Sequence, residues 1–165
     1  METAKVVIVL LAFLLTTFGI YKHYFIKIEI PTSSMYPTIK EGSRITVMRL
    51  GNVKNVKRGD LLVFRSTEKS PFFDMDKLLI KRLIGMPNER VLIENGSVFI
   101  DGALLQEPYV KDNFDFSGEF LIPKDKYFFL GDNRPKSFDS RFWIDPFIES
   151  RDIIAKVLPW NLKKY

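Results

Sequence analysis

The stretch EIPTSSMYPTIK, Glu29 to Lys40, sets two serines beside a threonine between two prolines. Ser, Thr and Pro are ordinary turn formers, so a polar turn is one reading. The other is a presented hydroxyl acting as a nucleophile. A serine is weak in that role unless a base takes its proton. Histidine is the usual base, but His23 is the only one here, on the flank of an apolar run. A Ser-His-Asp arrangement therefore has no support, and the absence of cysteine removes a thiol nucleophile. A lysine or a carboxylate is left.

Lysine serves as a base only when neutral. Its reference pKa of about 10.4 leaves fewer than about one in a thousand neutral at pH 7. Lowering that value to about 7 takes roughly 4 kcal/mol of destabilisation of the ammonium, which apolar burial can supply. Most lysines lie beside turn residues or other charges, but Lys81 in DKLLIKRLIG does not. In a strand, Leu79, Lys81 and Leu83 share one face, and Ile80, Arg82 and Ile84 the other. A strand lysine snorkelling to solvent is the competing reading of the same pattern. STEK, Ser66 to Lys69, is a literal S-x-x-K, but its S-D-N and K-T-G companions are missing, so it reads as an exposed loop.

These residues need a frame. The chain has 165 residues, 46% hydrophobic and 14% aromatic, enough for one globular domain with its own core. Val6 to Ile20 carries no charge. With Ala4 and Tyr21 added, and Lys5 and Lys22 snorkelling, it just reaches the length of a membrane-spanning helix. Tyr21, Tyr24 and Phe25 suit an interfacial belt. An uncleaved anchor over residues 1–25 is favoured over a cleavable signal peptide, because Thr17-Phe18-Gly19 fits the cleavage pattern only loosely. Lys5 before the run and Lys22 and Lys27 after it leave the orientation poorly marked.

From about residue 26 to 165 the pattern becomes short apolar runs broken by turns: FIKIEI, RITVMR, DLLVFRS, KLLIKRLI, RVLIE, SVFI, YFFL and DIIAKVL. This predicts an antiparallel, mostly β domain. Asn95-Gly96 and Asp101-Gly102 read as hairpin turns. The turn also explains Asn95-Gly96-Ser97 better than a glycosylation sequon does. PFFD, Pro71 to Asp74, reads as a loop that is either core or a tip in a bilayer. Asp74 and Asp76 read as a solvated loop rather than a metal site. The net charge of +5 favours anionic lipid. The basic residues are too scattered for a nucleic-acid stripe, and no nucleic-acid partner is expected.

GDNRPKSFDSRFW, Gly131 to Trp143, completes a set. Behind an amino-terminal anchor, in this order, PTSSMYPTI, RGDLLVF, KLLIKRLIGMP and GDNRPKSFDSRFW resemble the boxes of type I signal peptidases. Those are the membrane-bound Ser/Lys endopeptidases that remove signal peptides. The resemblance runs from the anchor to about Leu158. It implies two antiparallel sheets behind an N-terminal transmembrane helix. Ser34 matches the nucleophile and Lys81 the general base. Thr32, with the Ser34 backbone N–H, matches the oxyanion hole. Ser137 matches the hydroxyl that orients the lysine, and Asp139–Arg141 and Asp132–Arg82 match supporting ion pairs. Ile28, Ile30, Met35 and Ile80 are candidate walls of small substrate pockets, with ordinary core as the alternative for each. Ser33 departs from a frequent glycine, and Pro135 and Lys136 from a commoner acidic pair.

The resemblance implies signal-peptide-bearing preproteins and membrane lipids as partners, with no cofactor or metal. It implies a single-pass protein of the plasma membrane with its catalytic domain on the extracytoplasmic side, or an organellar inner or thylakoid membrane. The lone histidine at position 23 argues against the branches that use histidine in place of the lysine. The rivals are a self-cleaving repressor-type Ser/Lys protease, a specialised relative serving pilin maturation or conjugation, and a membrane-tethered β domain that binds without cleaving.

Overall fold

The computed structural model describes residues 2–66 and 78–162. The uncharged run lies within one helix, α1 (Glu2–Tyr24), whose 23 residues rise about 35 Å at 1.5 Å each. That exceeds the roughly 30 Å hydrocarbon core of a bilayer. None of its residues is buried, so α1 is long and apolar enough to cross a membrane. The hydroxyls of Thr16 and Thr17 donate back to the carbonyls of Ala12 and Phe13, both at 2.9 Å. The polar atoms inside the run are thus satisfied within the helix itself, as a hydrocarbon environment demands.

Period-two alternation gives way to strands at Phe25. They are β1 (Phe25–Glu29), β2 (Arg44–Arg49), β3 (Leu61–Arg65), β4 (Leu78–Gly85), β5 (Arg90–Glu94), β6 (Ser97–Ile100), β7 (Ala103–Leu104), β8 (Gly118–Leu121), β9 (Lys126–Leu130), β10 (Ile148–Glu149) and β11 (Ile153–Val157). They form two sheets, one ordered β1-β2-β11-β3-β4-β9-β10 and the other β7-β6-β5-β8. Neighbouring strands pair antiparallel throughout. The mostly β, two-sheet expectation holds.

Hairpin chemistry sets the register of the smaller sheet. Asn95 and Gly96 adopt φ of 47° and 79°, and Asp101 and Gly102 of 50° and 84°. Positive φ at both central residues is the twist-matched geometry for a two-residue turn. Strands β7, β8 and β10 escaped the sequence reading. They are two to four residues long, and β7 and β8 carry mostly exposed or half-buried side chains. A strand that short, with little apolar alternation, leaves no periodic signal. PFFD, the acidic pair Asp74 and Asp76, and Thr67 to Lys69 of the STEK stretch lie outside the described residues.

Three apolar clusters hold the sheets. Ile30, Met35, Ile39, Val47, Leu61 and Val63 form one, which includes apolar residues of the Ser34 stretch. A second gathers Leu62, Phe64, Leu83, Phe129 and Trp143, with the Phe64 and Phe129 rings 4.4 Å apart. The third takes Ile84, Phe128 and Leu130 from the large sheet and Val91, Ile93 and Val98 from the small one, so it joins them.

Strand β4 passes through the middle of this packing, flanked by β3 and β9. Its residues from Lys81 to Gly85 are buried in unbroken succession. At Gly85 the strand meets the second sheet so closely that a Cβ would lie 2.1 Å from Ile122 Cδ1 and 2.7 Å from Val91 Cγ2. We expect Gly85→Ala to destabilise the β domain by about 1–3 kcal/mol through overpacking, read as a lower midpoint in urea denaturation.

Candidate functional site

Lys81 and Ser34 meet although 47 positions separate them. Lys81 stands opposite Leu62 in the β3–β4 register. Its Nζ lies 2.7 Å from Ser34 Oγ, inside the protein. Lys81 is 4% exposed and Ser34 7%. As an ammonium the lysine donates to Ser34 Oγ; as a free amine it accepts the hydroxyl proton.

Burial is what makes that second state reachable. Desolvation pushes the Lys81 amine down to about 8, against an upward pull from Asp139 and Asp132, while Arg141 helps lower it. The snorkelling alternative for this lysine is therefore overturned. The residue is 4% exposed, and its amine meets the Ser34 hydroxyl instead of bulk water.

Both neighbouring carboxylates are themselves held. Asp139, wholly buried, accepts from Arg141 Nε at 2.8 Å and from the Gly131 backbone N–H at 2.9 Å. Asp132, also wholly buried, takes Arg82 Nε at 2.7 Å and a second guanidinium nitrogen at 2.6 Å. Both expected ion pairs are thus present. Such bidentate pairs offset the cost of burying charge only when the remaining valences are filled. Here they are: the Thr38 hydroxyl donates to Asp132, Arg82 also donates to the Gly59 carbonyl at 2.7 Å, and its guanidinium stacks 3.7 Å from the Tyr109 ring centre.

The segment after β9 grips the turn that carries Ser34 directly. Asn133 N–H donates to the Ser34 carbonyl at 3.0 Å, and Asn133 Nδ2 donates to the Ser33 carbonyl at 3.1 Å. Gly131 permits this approach, since a Cβ there would sit 2.7 Å from the Ser34 carbonyl oxygen and 2.1 Å from Ser137 Oγ. Arg134 keeps the loop in place by donating to the Gly131 carbonyl at 3.0 Å and to Glu107 at 2.5 Å. Burial, with Glu107 beside it, pushes the Tyr109 phenol up. It therefore stays protonated and donates to Glu107 at 2.7 Å.

A cavity of about 70 Å³ opens beside Ser34 and Lys81, lined among others by Ile30, Thr32, Met35, Leu79 and Ile80. Three of the four expected wall residues line it. Ile28 does not; it packs half-buried against the cluster below. Thr32 Oγ1 lies 3.2 Å from Ser34 Oγ. The expected contact from Ser137 to the lysine is not made: Ser137 Oγ is buried and has no hydrogen-bond partner among the described residues. Ser33 is not among the residues with positive φ, so its side chain brings no left-handed strain.

Thr38, Asn133, Leu79, Glu107 and Tyr109 were missed from the sequence as site residues. The first three lie inside the quoted boxes and could have been weighed there. Glu107 and Tyr109 sit in a connection with no periodic or spacing signal. No cluster of His, Cys, Asp or Glu suited to a metal occurs among the described residues.

Fold and site together define a class: β-rich proteins that hold a serine hydroxyl against a buried lysine amine. Within it the chain belongs to the signal peptidase family, peptidase S26, whose model matches residues 1–160. It is 36% identical over 133 residues to the signal peptidase I of Leptolyngbya laminosa, covering 78% of this chain and 64% of that protein. It thus spans just under two thirds of that relative's length. With signal peptidase I T of Bacillus subtilis strain 168 the identity is 34% over 160 residues, covering 90% of this chain and 77% of the relative. A crystal structure of a signal peptidase I from Enterococcus faecalis V583 superposes with a TM-score of 0.50 at 30% identity, covering 64% of this chain and 98% of that one.

The depressed amine has a consequence for stability. Lys81 binds its proton less tightly folded than unfolded, so the folded state is penalised by about 3 kcal/mol below pH 8. That penalty fades as pH rises from about 8 to 10.5. Lys81→Met, which cannot titrate, should exceed the wild type in stability at pH 7 by more than it does at pH 10. Urea denaturation at the two pH values measures the difference.

Proposed function

We propose that this chain is a membrane-anchored serine endopeptidase that removes N-terminal signal peptides from exported preproteins, with Ser34 as nucleophile and Lys81 as general base. One observation carries the proposal: a desolvated amine 2.7 Å from a serine hydroxyl, in a member of a signal peptidase family. With its pKa near 8, about one-tenth of Lys81 is neutral at pH 7, roughly three-hundredfold more than for a solvated lysine.

The neutral amine takes the Ser34 proton as Oγ attacks the scissile carbonyl. Negative charge collects on the carbonyl oxygen, where the Ser34 N–H and the Thr32 hydroxyl act as donors. Losing one such donor costs about 10²–10³ in rate. Collapse breaks the peptide C–N bond, and protonated Lys81 gives its proton to the leaving amine. A water then enters, Lys81 removes its proton, and the hydroxide attacks the acyl group. The new carboxylic end departs as Ser34 regains its hydroxyl proton.

The small cavity bounded by Ile30, Met35 and Ile80 supports a preference for small side chains before the cut. In this reading α1 crosses the membrane once, with the β domain on the extracytoplasmic side. Tethering the site beside membrane-held substrates raises their effective concentration, and the net charge of +5 favours contact with anionic lipid.

Incubating the purified full chain with a preprotein and reading the cut by mass spectrometry tests the proposal. We expect one cut after a small residue, and none with Ser34→Ala or Lys81→Ala. Lys81→Arg should be equally inactive, because a guanidinium stays protonated. For the wild type, kcat/KM should climb as pH rises through about 8. Cleavage by Lys81→Arg at the wild-type rate would remove the base assignment.

A further inference from the structure

Ser34 lies between two peptide planes, and Asn133 binds both. Its backbone N–H donates to the Ser34 carbonyl at 3.0 Å, and its side-chain Nδ2 donates to the Ser33 carbonyl at 3.1 Å. The Ser33 carbonyl also accepts the Tyr36 N–H at 3.0 Å, so two donors converge on it. That carbonyl and the Ser34 N–H belong to one planar trans peptide unit and point in opposite directions. Fixing the oxygen therefore aims the N–H. The Ser34 N–H itself donates to no other group among the described residues. Drawing electron density toward a doubly bonded carbonyl oxygen also makes the N–H across the same amide a stronger donor.

We infer that Asn133 is a positioning residue for the oxyanion hole, its side-chain amide aiming and strengthening the Ser34 N–H. The inference rests on the Ser34 reading above and deepens it, naming what holds the donor in place. The surroundings supply the rigidity this requires. Gly131 lets the loop approach, since any Cβ would strike the Ser34 carbonyl oxygen and Ser137. Arg134, 3% exposed, ties the next residue to the Gly131 carbonyl and to Glu107. Thr38 joins the far end of the nucleophile turn to Asp132, next to Asn133 in sequence. Two turns are thereby joined at three points, and of these three the Asn133 side-chain amide is the one that reaches the peptide carrying the donor.

Asn133→Ala removes the side-chain donor and keeps the backbone one. Asn133→Asp keeps the size but turns a carboxylate oxygen toward the Ser33 carbonyl. Both should lower kcat about tenfold, with KM within about twofold of wild type, because the donor acts on charge that develops in the transition state. A peptide aldehyde, whose adduct with Ser34 places an oxyanion in the same hole, should bind more weakly by the same factor. The pH at which kcat/KM rises should stay unmoved, since Lys81 is untouched. A general loosening of the turn would instead shift that pH, by changing the burial of the amine. Unchanged kcat and aldehyde affinity, a loss carried by KM, or a displaced pH profile would each overturn the inference.

A second measurement is independent of turnover. In detergent micelles, the Ser34 amide proton of the full chain should resonate upfield in Asn133→Ala relative to wild type. An unmoved resonance overturns the clamp even if the chain cleaves. A wild type that cleaves no preprotein, yet shows the resonance shift, overturns the protease reading and leaves the clamp standing.

Discussion

A lysine amine kept from water is the constraint on which the site depends. An ammonium buried in a protein is destabilised in proportion to the hydration it loses, and Lys81 sits in an interior strand of a seven-stranded sheet. The protein bears the resulting cost in stability at neutral pH and holds an amine that is partly neutral there. Two opposing terms bound the shift. Asp139 and Asp132 pull the amine back toward its charged state. Each is already paired to its own arginine, which blunts the pull. The ion pairs also hold the loop in place.

The same pairs organise the geometry. Arg82 and Lys81 are consecutive on β4, so alternation sends one cation to Ser34 and the next to Asp132. Asp132 in turn lies beside Asn133, which reaches back to both carbonyls flanking the serine. One strand and one loop thus set the positions of Lys81 and Ser34. Such buried polar networks carry weight only when complete, and the unpartnered Ser137 hydroxyl is the exception among the described residues. Its burial against Gly131 leaves it close to the network without joining it.

Helix α1 and the β domain present different surfaces. Helix α1 satisfies its backbone internally and buries no residue against the protein, the condition for a helix whose partner is lipid. Strand β1 begins at the residue after the helix ends, and the nucleophile stretch follows β1 directly. Ser34 is thereby held a short chain length from the apolar helix.

The sequence by itself determined the apolar helix, the eight main strands, the two hairpin turns and the residue types available for chemistry. Those are local properties: unbroken hydrophobicity, alternation, and Asn-Gly or Asp-Gly at positions needing positive φ. Ser34 and Lys81 were legible as candidates because cysteine and a suitably placed histidine are missing, and because their boxes are ordered as in a known family. Alternation could not say whether Lys81 faced water or core, since a strand's burial depends on what pairs with both its edges and covers both its faces. Only the tertiary structure decided that, by covering both faces of β4 from Lys81 to Gly85. It also decided the 2.7 Å approach across 47 positions, the Asn133 and Thr38 contacts, and the absence of Ser137 from the lysine's partners. Those facts rest on contacts between residues far apart in the chain, which no local pattern encodes.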